Sequence, residues 1–147
     1  DSMIAGNIVE NFSGDGMRGL GNNTTFQYNT VIDLNDGRPG PPWIRIGPHK
    51  NGTPSSGCVI RNNLTSSLNL SDGVTVDHNL IIKDATALFV DVSANDLRLR
   101  PDAEAIDAGS PKLSPMRDAA GTTRPQGKGI DIGAYEFTQS AQGHEDR

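Results

Sequence analysis

The chain has 147 residues, 34% hydrophobic and 5% aromatic, with 17 Gly, nine Pro and a formal charge of −5. That balance suits many short strands joined by tight turns, and acidic charge interspersed with basic argues against nucleic acid as a main partner. No apolar run approaches the roughly 18 residues of a membrane span, and the lone Cys58 excludes an internal disulfide or a multi-Cys zinc site.

The first element is Ile4-Ala5-Gly6-Asn7-Ile8, an apolar residue three positions before an Asn with more apolar residues after it. The same frame returns as Phe26-Gln27-Tyr28-Asn29-Thr30, Ile60-Arg61-Asn62-Asn63-Leu64 and Val76-Asp77-His78-Asn79-Leu80, with the asparagines 22, 34 and 16 residues apart. A repeat of this kind predicts a solenoid whose coils stack by parallel ladder bonds about 4.8 Å apart. Equivalent side chains then stack, and Asn7, Asn29, Asn63 and Asn79 are expected to form one column of bonded amides. The expected fold is all-β, a right-handed parallel β-helix of few coils closed by a C-terminal capping segment. Coils are expected over residues 1–94, the capping segment over 95–138 and a disordered polar tail over 139–147, with His144, Glu145 and Asp146 in that tail.

Between the first two asparagines, Gly14 to Gly21 reads as a Gly-rich tight corner; its Asp15 and Arg18 are a candidate clamp for a polar ligand. The 34-residue step reads as one coil plus an insertion over 35–57, bounded by the turn-rich segments Asn35–Pro42 and Asn51–Gly57. Inside it Trp43-Ile44-Arg45-Ile46 alternates as a strand, so inward Ile44 and Ile46 would leave Trp43 and Arg45 on the outer face. Cys58, beside Val59 and Ile60, reads as a small buried hydrophobe. In Val74-Thr75-Val76-Asp77 the valines face inward, so Asp77 should meet Arg61 of the coil below as an exposed cross-strand ion pair. His78 beside Asp77 is weak evidence for a metal site, which draws three or four ligands.

From Asn95 the pattern changes to Asp96-Leu97-Arg98-Leu99-Arg100-Pro101, Ala105-Ile106-Asp107-Ala108-Gly109-Ser110-Pro111, Arg124-Pro125 and Gly129-Ile130-Asp131-Ile132-Gly133-Ala134-Tyr135-Glu136-Phe137. This run resembles the tail of many secreted bacterial right-handed parallel β-helix proteins, and residues 2–94 look like the coils of pectin-lyase-like proteins related to polysaccharide lyases and mannuronan epimerases. The resemblance implies an extracellular or cell-surface protein acting on polysaccharide. Relatives of this kind carry more coils, with an acidic, His-containing stretch that does not occur here. The chain also opens at Asp1 without a leader or an N-terminal cap, and so reads as a fragment or shortened relative. The tail is expected to fold back over the last coil and cover its apolar cross-section and strand edges. Its Asp107 and Asp131, in Gly-flanked turns, would accept backbone N–H bonds, with calcium ligation the lesser alternative and no other cofactor expected.

Lyases and epimerases of uronic acids need a cation on the carboxylate and a base for the adjacent proton. The insertion holds suitable groups: Trp43 to stack on a sugar, Arg45 to pair with a carboxylate, and His49 or Lys50 as base. The plainer reading is an ordered surface loop with Trp43 covering the coil edge. A glycosidase pair is weaker still, since Asp36-Gly37 near Asp33 reads first as a turn. Two functions stand: a polysaccharide-active protein of lyase or epimerase type, or a non-catalytic scaffold that binds glycan or self-associates through the open first-coil edge at 4–9.

Overall fold

The computed structural model describes residues 1–33, 43–112 and 115–139. The expectations for the first turn of the insertion, for Asp36 and for the terminal tail from 140 onward lie outside those residues. Among the described residues eleven short strands run as four coils, and all their pairings are parallel. The first coil holds β1 (Ser2–Ala5), β2 (Ile8–Glu10) and β3 (Met17–Leu20), and the second β4 (Thr24–Gln27), β5 (Thr30–Ile32) and β6 (Ile44–Gly47). The third holds β7 (Val59–Arg61), β8 (Leu64–Thr65) and β9 (Leu68–Leu70), and the fourth only β10 (Thr75–Asp77) and β11 (Leu80–Ile81). Sheet A stacks β1-β4-β7-β10, sheet B stacks β2-β5-β8-β11, and sheet C stacks β3-β6-β9. The chain is a parallel β-helix of few coils.

Two sequence expectations change in this frame. Residues 17–20 are a strand of sheet C, not only a Gly-rich corner: Gly19 lies under Ile46, leaving room that a Cβ would fill to within 2.8 Å of the Ile46 Cδ1. The stretch read as an insertion contains β6, the third strand of the second coil, so that coil is long but complete.

The asparagine column forms as the repeat implies. Asn7 donates its N–H and Nδ2–H to Oδ1 of Asn29 at 3.0 and 3.1 Å, and Asn29 does the same to Asn63 at 3.0 and 2.9 Å. Asn63 continues to Asn79 at 3.0 and 2.9 Å. The second Nδ2 hydrogen of Asn29, Asn63 and Asn79 goes to the backbone oxygen of Ile4, Phe26 and Ile60 in the coil below. Before every ladder Asn the backbone is left-handed, at Gly6 (φ 69°), Tyr28 (54°), Asn62 (55°) and His78 (53°). One left-handed residue turns the chain sharply enough to pass from sheet A to sheet B through a single further residue, the Asn. His78 is thus a corner residue.

The register sorts side chains by face. Ile4, Phe26, Ile60 and Val76 stack inward from sheet A, Val9, Val31, Thr65 and Ile81 from sheet B, and Met17, Ile44 and Leu68 from sheet C. Apart from Thr65 and the exposed Val76 and Ile81, these columns make the solenoid core with Cys58 and Phe12. Cys58 is buried, as its neighbours implied.

A second core lies outside the solenoid. After β11 the chain forms α1 (Ala85–Leu88), N-capped by Asp84, and an antiparallel hairpin of β12 (Phe89–Asp91) and β13 (Asp96–Leu99). Leu88, Phe89, Leu97, Leu99, Ala105 and Ile132 pack with Ile8, Ile32, Leu64 and Leu80 of sheet B. The last solenoid strand therefore ends at Ile81, and the terminal segment covers the outer face of sheet B rather than the cross-section of the last coil. Val76 and Ile81 of that coil remain 55% and 38% exposed.

The segment is fixed by polar bonds as well. Tyr28 Oη and Asn62 Nδ2 donate to the Ser110 carbonyl at 2.9 and 2.8 Å, and Ala134 N–H donates to Thr30 Oγ1 at 3.0 Å. Arg124 and Glu136 form a fully buried ion pair at 2.8 Å, with the guanidinium 4.7 Å from the centre of the Tyr28 ring. Asp131 accepts backbone N–H bonds from Asp107 and Phe137, and Asp107 accepts one from Gly129. These carboxylates close turns, as their Gly-flanked setting implied. The Arg61–Asp77 ion pair forms at 2.8 Å, but Arg61 is only 8% exposed. It is a half-buried pair, not the surface pair expected, because it sits beside the docked segment.

Candidate functional site

The register of sheet C decides which candidate residues meet. Arg18 of β3 pairs with Arg45 of β6, and Arg45 with Asn69 of β9, so the three side chains form one outward column. Two guanidiniums on strands about 4.8 Å apart would repel. Asp15, in the turn before β3, lies between them: its Oδ2 is 3.7 Å from Arg18 Nε and 3.9 Å from Arg45 Nη1. The Asp15 carboxylate is 11% exposed while Arg18 and Arg45 are 52% and 36% exposed. At those separations Asp15 neutralises part of the charge without forming hydrogen bonds. Among the described residues the cluster of two arginines and one aspartate carries a net positive charge, and neither guanidinium donates a hydrogen bond.

Trp43 stands apart from this column. It precedes β6, so strand alternation does not bind it, and its ring meets Phe12 edge-on at 5.8 Å with an interplanar angle of 87°. It touches both apolar cores at the corner between sheets B and C. Ile44 and Ile46 face inward and Arg45 outward, as the alternation predicted.

His49 and Lys50 lie beyond the other end of β6. His49 opens a turn closed by its N–H to the Thr53 carbonyl and by Gly52 N–H to its own carbonyl, both at 2.8 Å. Its Nε2 is 3.0 Å from Asn22 Oδ1, which also accepts the Ser56 N–H at 2.9 Å. Because a backbone N–H needs an oxygen, that Asn22 atom is the acceptor, and His49 Nε2 carries the hydrogen. Four residues of near-extended chain place His49 roughly 13 Å from Arg45 along the backbone. The structure thus brings Asp15, Arg18 and Arg45 into one cluster and leaves Trp43 and His49 at opposite ends of β6.

Two other groups were less legible in sequence. Asn69 joins the arginine column only through register. A cleft of about 340 Å³ between the hairpin and the terminal segment is lined by Val90, Arg98, Leu99, Tyr135 and Phe137, with Asp118 and Glu136 behind them. Both carboxylates accept backbone N–H bonds, and Arg98 is engaged by Asp96. At the sheet A corner, Asp77 contacts both His78 and Arg61, and these hydrogen bonds, His78 first, lower its pKa to about 2. Among the described residues no three His, Cys, Asp or Glu side chains gather as a metal site would require, and no helix is long and apolar enough to cross a membrane.

Comparison of the chain with models of protein families, with curated proteins and with solved structures finds no match.

Proposed function

We propose that this chain binds an acidic polysaccharide along the outer face of sheet C, as a piece or short relative of secreted polysaccharide-active β-helix proteins of the lyase or epimerase type. The observation that carries the reading is the Arg18–Arg45–Asn69 column with Asp15 between its arginines. Guanidiniums match carboxylates in planar, two-bonded geometry. A strand ladder repeats them at a fixed step, which suits a polymer better than a small molecule. The sequence resemblance to lyases and epimerases points to the same class of substrate and to an extracellular location.

Within this reading the face binds, and proton abstraction belongs to whatever base reaches it. His49 and Lys50 lie past the far end of β6 and Trp43 packs edge-on against Phe12 at the other, so the first two take no base role and the third no stacking role. Arg45 sits between them as the carboxylate partner, and Arg18 extends the same contact by one coil.

Binding to alginate, pectate and a neutral glucan, measured by calorimetry at low and moderate salt, tests the proposal. Uronate polymers should bind and the glucan should not. Affinity should fall as salt rises, because the contact is ionic and partly exposed. Arg45→Ala and Arg18→Ala should each weaken binding about 5- to 30-fold, the loss of one charge-assisted bond. Equal affinity for all three polymers, or unchanged binding in the double variant, would count against it. Ultraviolet absorbance of unsaturated uronate and exchange of the C5 proton with solvent report lyase and epimerase turnover in turn, and His49→Ala should leave binding to the uronate polymers unchanged.

A further inference from the structure

The turn that carries Asp15 is fixed from the inside. A Cβ at Gly16 would lie 2.6 Å from Val31 Cγ1, 2.8 Å from the Trp43 carbonyl oxygen and 2.9 Å from Phe12 Cε1. Met17 N–H donates to that same Trp43 oxygen at 2.8 Å. The backbone at 16–17 is therefore pressed onto β5 and the residue that leads into β6, and Asp15 stands just outside it. Its carboxylate is 11% exposed, 3.7 Å from Arg18 Nε and 3.9 Å from Arg45 Nη1.

Charge then limits what the arginines can hold. Two guanidiniums and one carboxylate leave one net positive charge among the described residues. A carboxylate from solvent that bridges Arg18 and Arg45 brings that sum to zero. A second carboxylate on the next sugar would find no charge left to neutralise, and Asp15 would repel it. That repulsion is weakly screened, because Asp15 is nearly buried.

The next outward residue of the column is neutral. An extended sugar unit is about as long as the coil step of about 4.8 Å, so the unit after the one at Arg45 reaches Asn69. The Asn69 amide is exposed and offers donors and an acceptor without charge. We infer, on the reading that this face binds uronate, that Asp15 is a specificity-determining residue: it lets the Arg18–Arg45 pair seat one carboxylate and not two in succession. The polymer that fits carries uronate alternating with a neutral sugar, and acid on every unit brings no further affinity.

Calorimetry at low salt with two octasaccharides tests the inference. One is from hyaluronan, where glucuronate alternates with N-acetylglucosamine, and the other from polygalacturonate, where every unit is acidic. The unaltered chain should bind the galacturonate octamer no more than about fivefold tighter than the hyaluronan one. Asp15→Asn keeps the side-chain shape and removes the charge. It should raise galacturonate affinity about 5- to 30-fold more than hyaluronan affinity, the worth of one further charge-assisted bond. Asn69→Arg, which adds a charge at the next step and lies away from the packed turn, should shift preference the same way. It serves if circular dichroism finds Asp15→Asn unfolded. A larger preference for galacturonate in the unaltered chain overturns the inference, as does a preference that the folded variant leaves unchanged; either leaves uronate binding itself standing. Binding of neither octamer removes that reading and the inference together.

Discussion

At the scale of single residues, position in the column decides what an asparagine is worth. Asn63 is fully buried, and its Oδ1 is the acceptor for two donors of Asn29. Replacing it by alanine leaves both without a partner, at about 1–3 kcal/mol for a buried orphaned group, and opens a gap between coils. Asn63→Ala should therefore lower unfolding stability in urea by about 3 kcal/mol. Asn7→Ala should cost less than about 1 kcal/mol, because Asn29 Oδ1 still receives the Asn7 backbone N–H and no buried donor is orphaned. Equal losses at the two positions would mean that the amides do not act as a ladder.

Two aspartates give opposite dependences on pH. The His78 and Arg61 hydrogen bonds hold the Asp77 pKa near about 2, below the ordinary 3.8. The unfolded chain binds more protons in that window, so stability is present above about pH 4 and is lost as pH falls toward 2. Burial raises Asp131 to about 6 despite its bonds from Phe137 and Asp107. Here the folded chain binds more protons, so stability declines as pH rises from about 4 to 6. Urea midpoints measured at half-unit steps should show both slopes. Asp77→Asn should reduce the lower one, to which the lowered Asp84, Asp91 and Asp96 also contribute, and leave the upper one in place.

At the scale of elements, the terminal segment is a second cover for sheet B, and at Gly133 it leaves no room for a side chain. That residue has φ 101°, and a Cβ there would lie 2.6 Å from Leu64 Cδ1. Gly133→Ala should cost about 2–3 kcal/mol from strained backbone and overpacking together. Adding Leu64→Ala should make that penalty smaller in a double-mutant cycle of thermal melts, since it removes the clash but not the backbone strain. Strict additivity would show that the two residues do not touch. The sequence expectation put the cover over the last coil, and the signal it left unused is the adjacent apolar pairs Ile8-Val9, Val31-Ile32 and Ile81-Ile82. In a strand one member must face outward, and outward apolar residues need something to cover them. The repeated Asn frame was legible because the same residue recurs at each corner. The left-handed residue before it was not, because Gly, Tyr, Asn and His share a conformation there and not a chemistry. Arg18 and Arg45 each drew attention for charge, yet only sheet register joins them, and register across a long coil cannot be read from spacing. His49 looked close to Arg45 for the opposite reason: four positions are near in sequence and far along an extended chain.

At the scale of the whole molecule, each coil is stabilised by the coils beside it, so the two inner coils should be the most persistent. They hold the fully buried Asn29 and Asn63, and the bonds from Tyr28, Thr30 and Asn62 to the terminal segment all start from them. Segment and inner coils should therefore open as one unit. Hydrogen exchange followed amide by amide should find β4, β5, β7 and β8 slowest, with Ile132 and Gly133, whose N–H groups bond to Ala105 and Asn62, in the same class. Amides of β1 and β11, each with a neighbour on one side only, should exchange at least about tenfold faster, a difference of about 1.4 kcal/mol in opening free energy. If Ile132 and Gly133 exchanged with the outer coils instead, the segment would be a separately opening flap, and the buried Arg124–Glu136 pair would hold only that flap together.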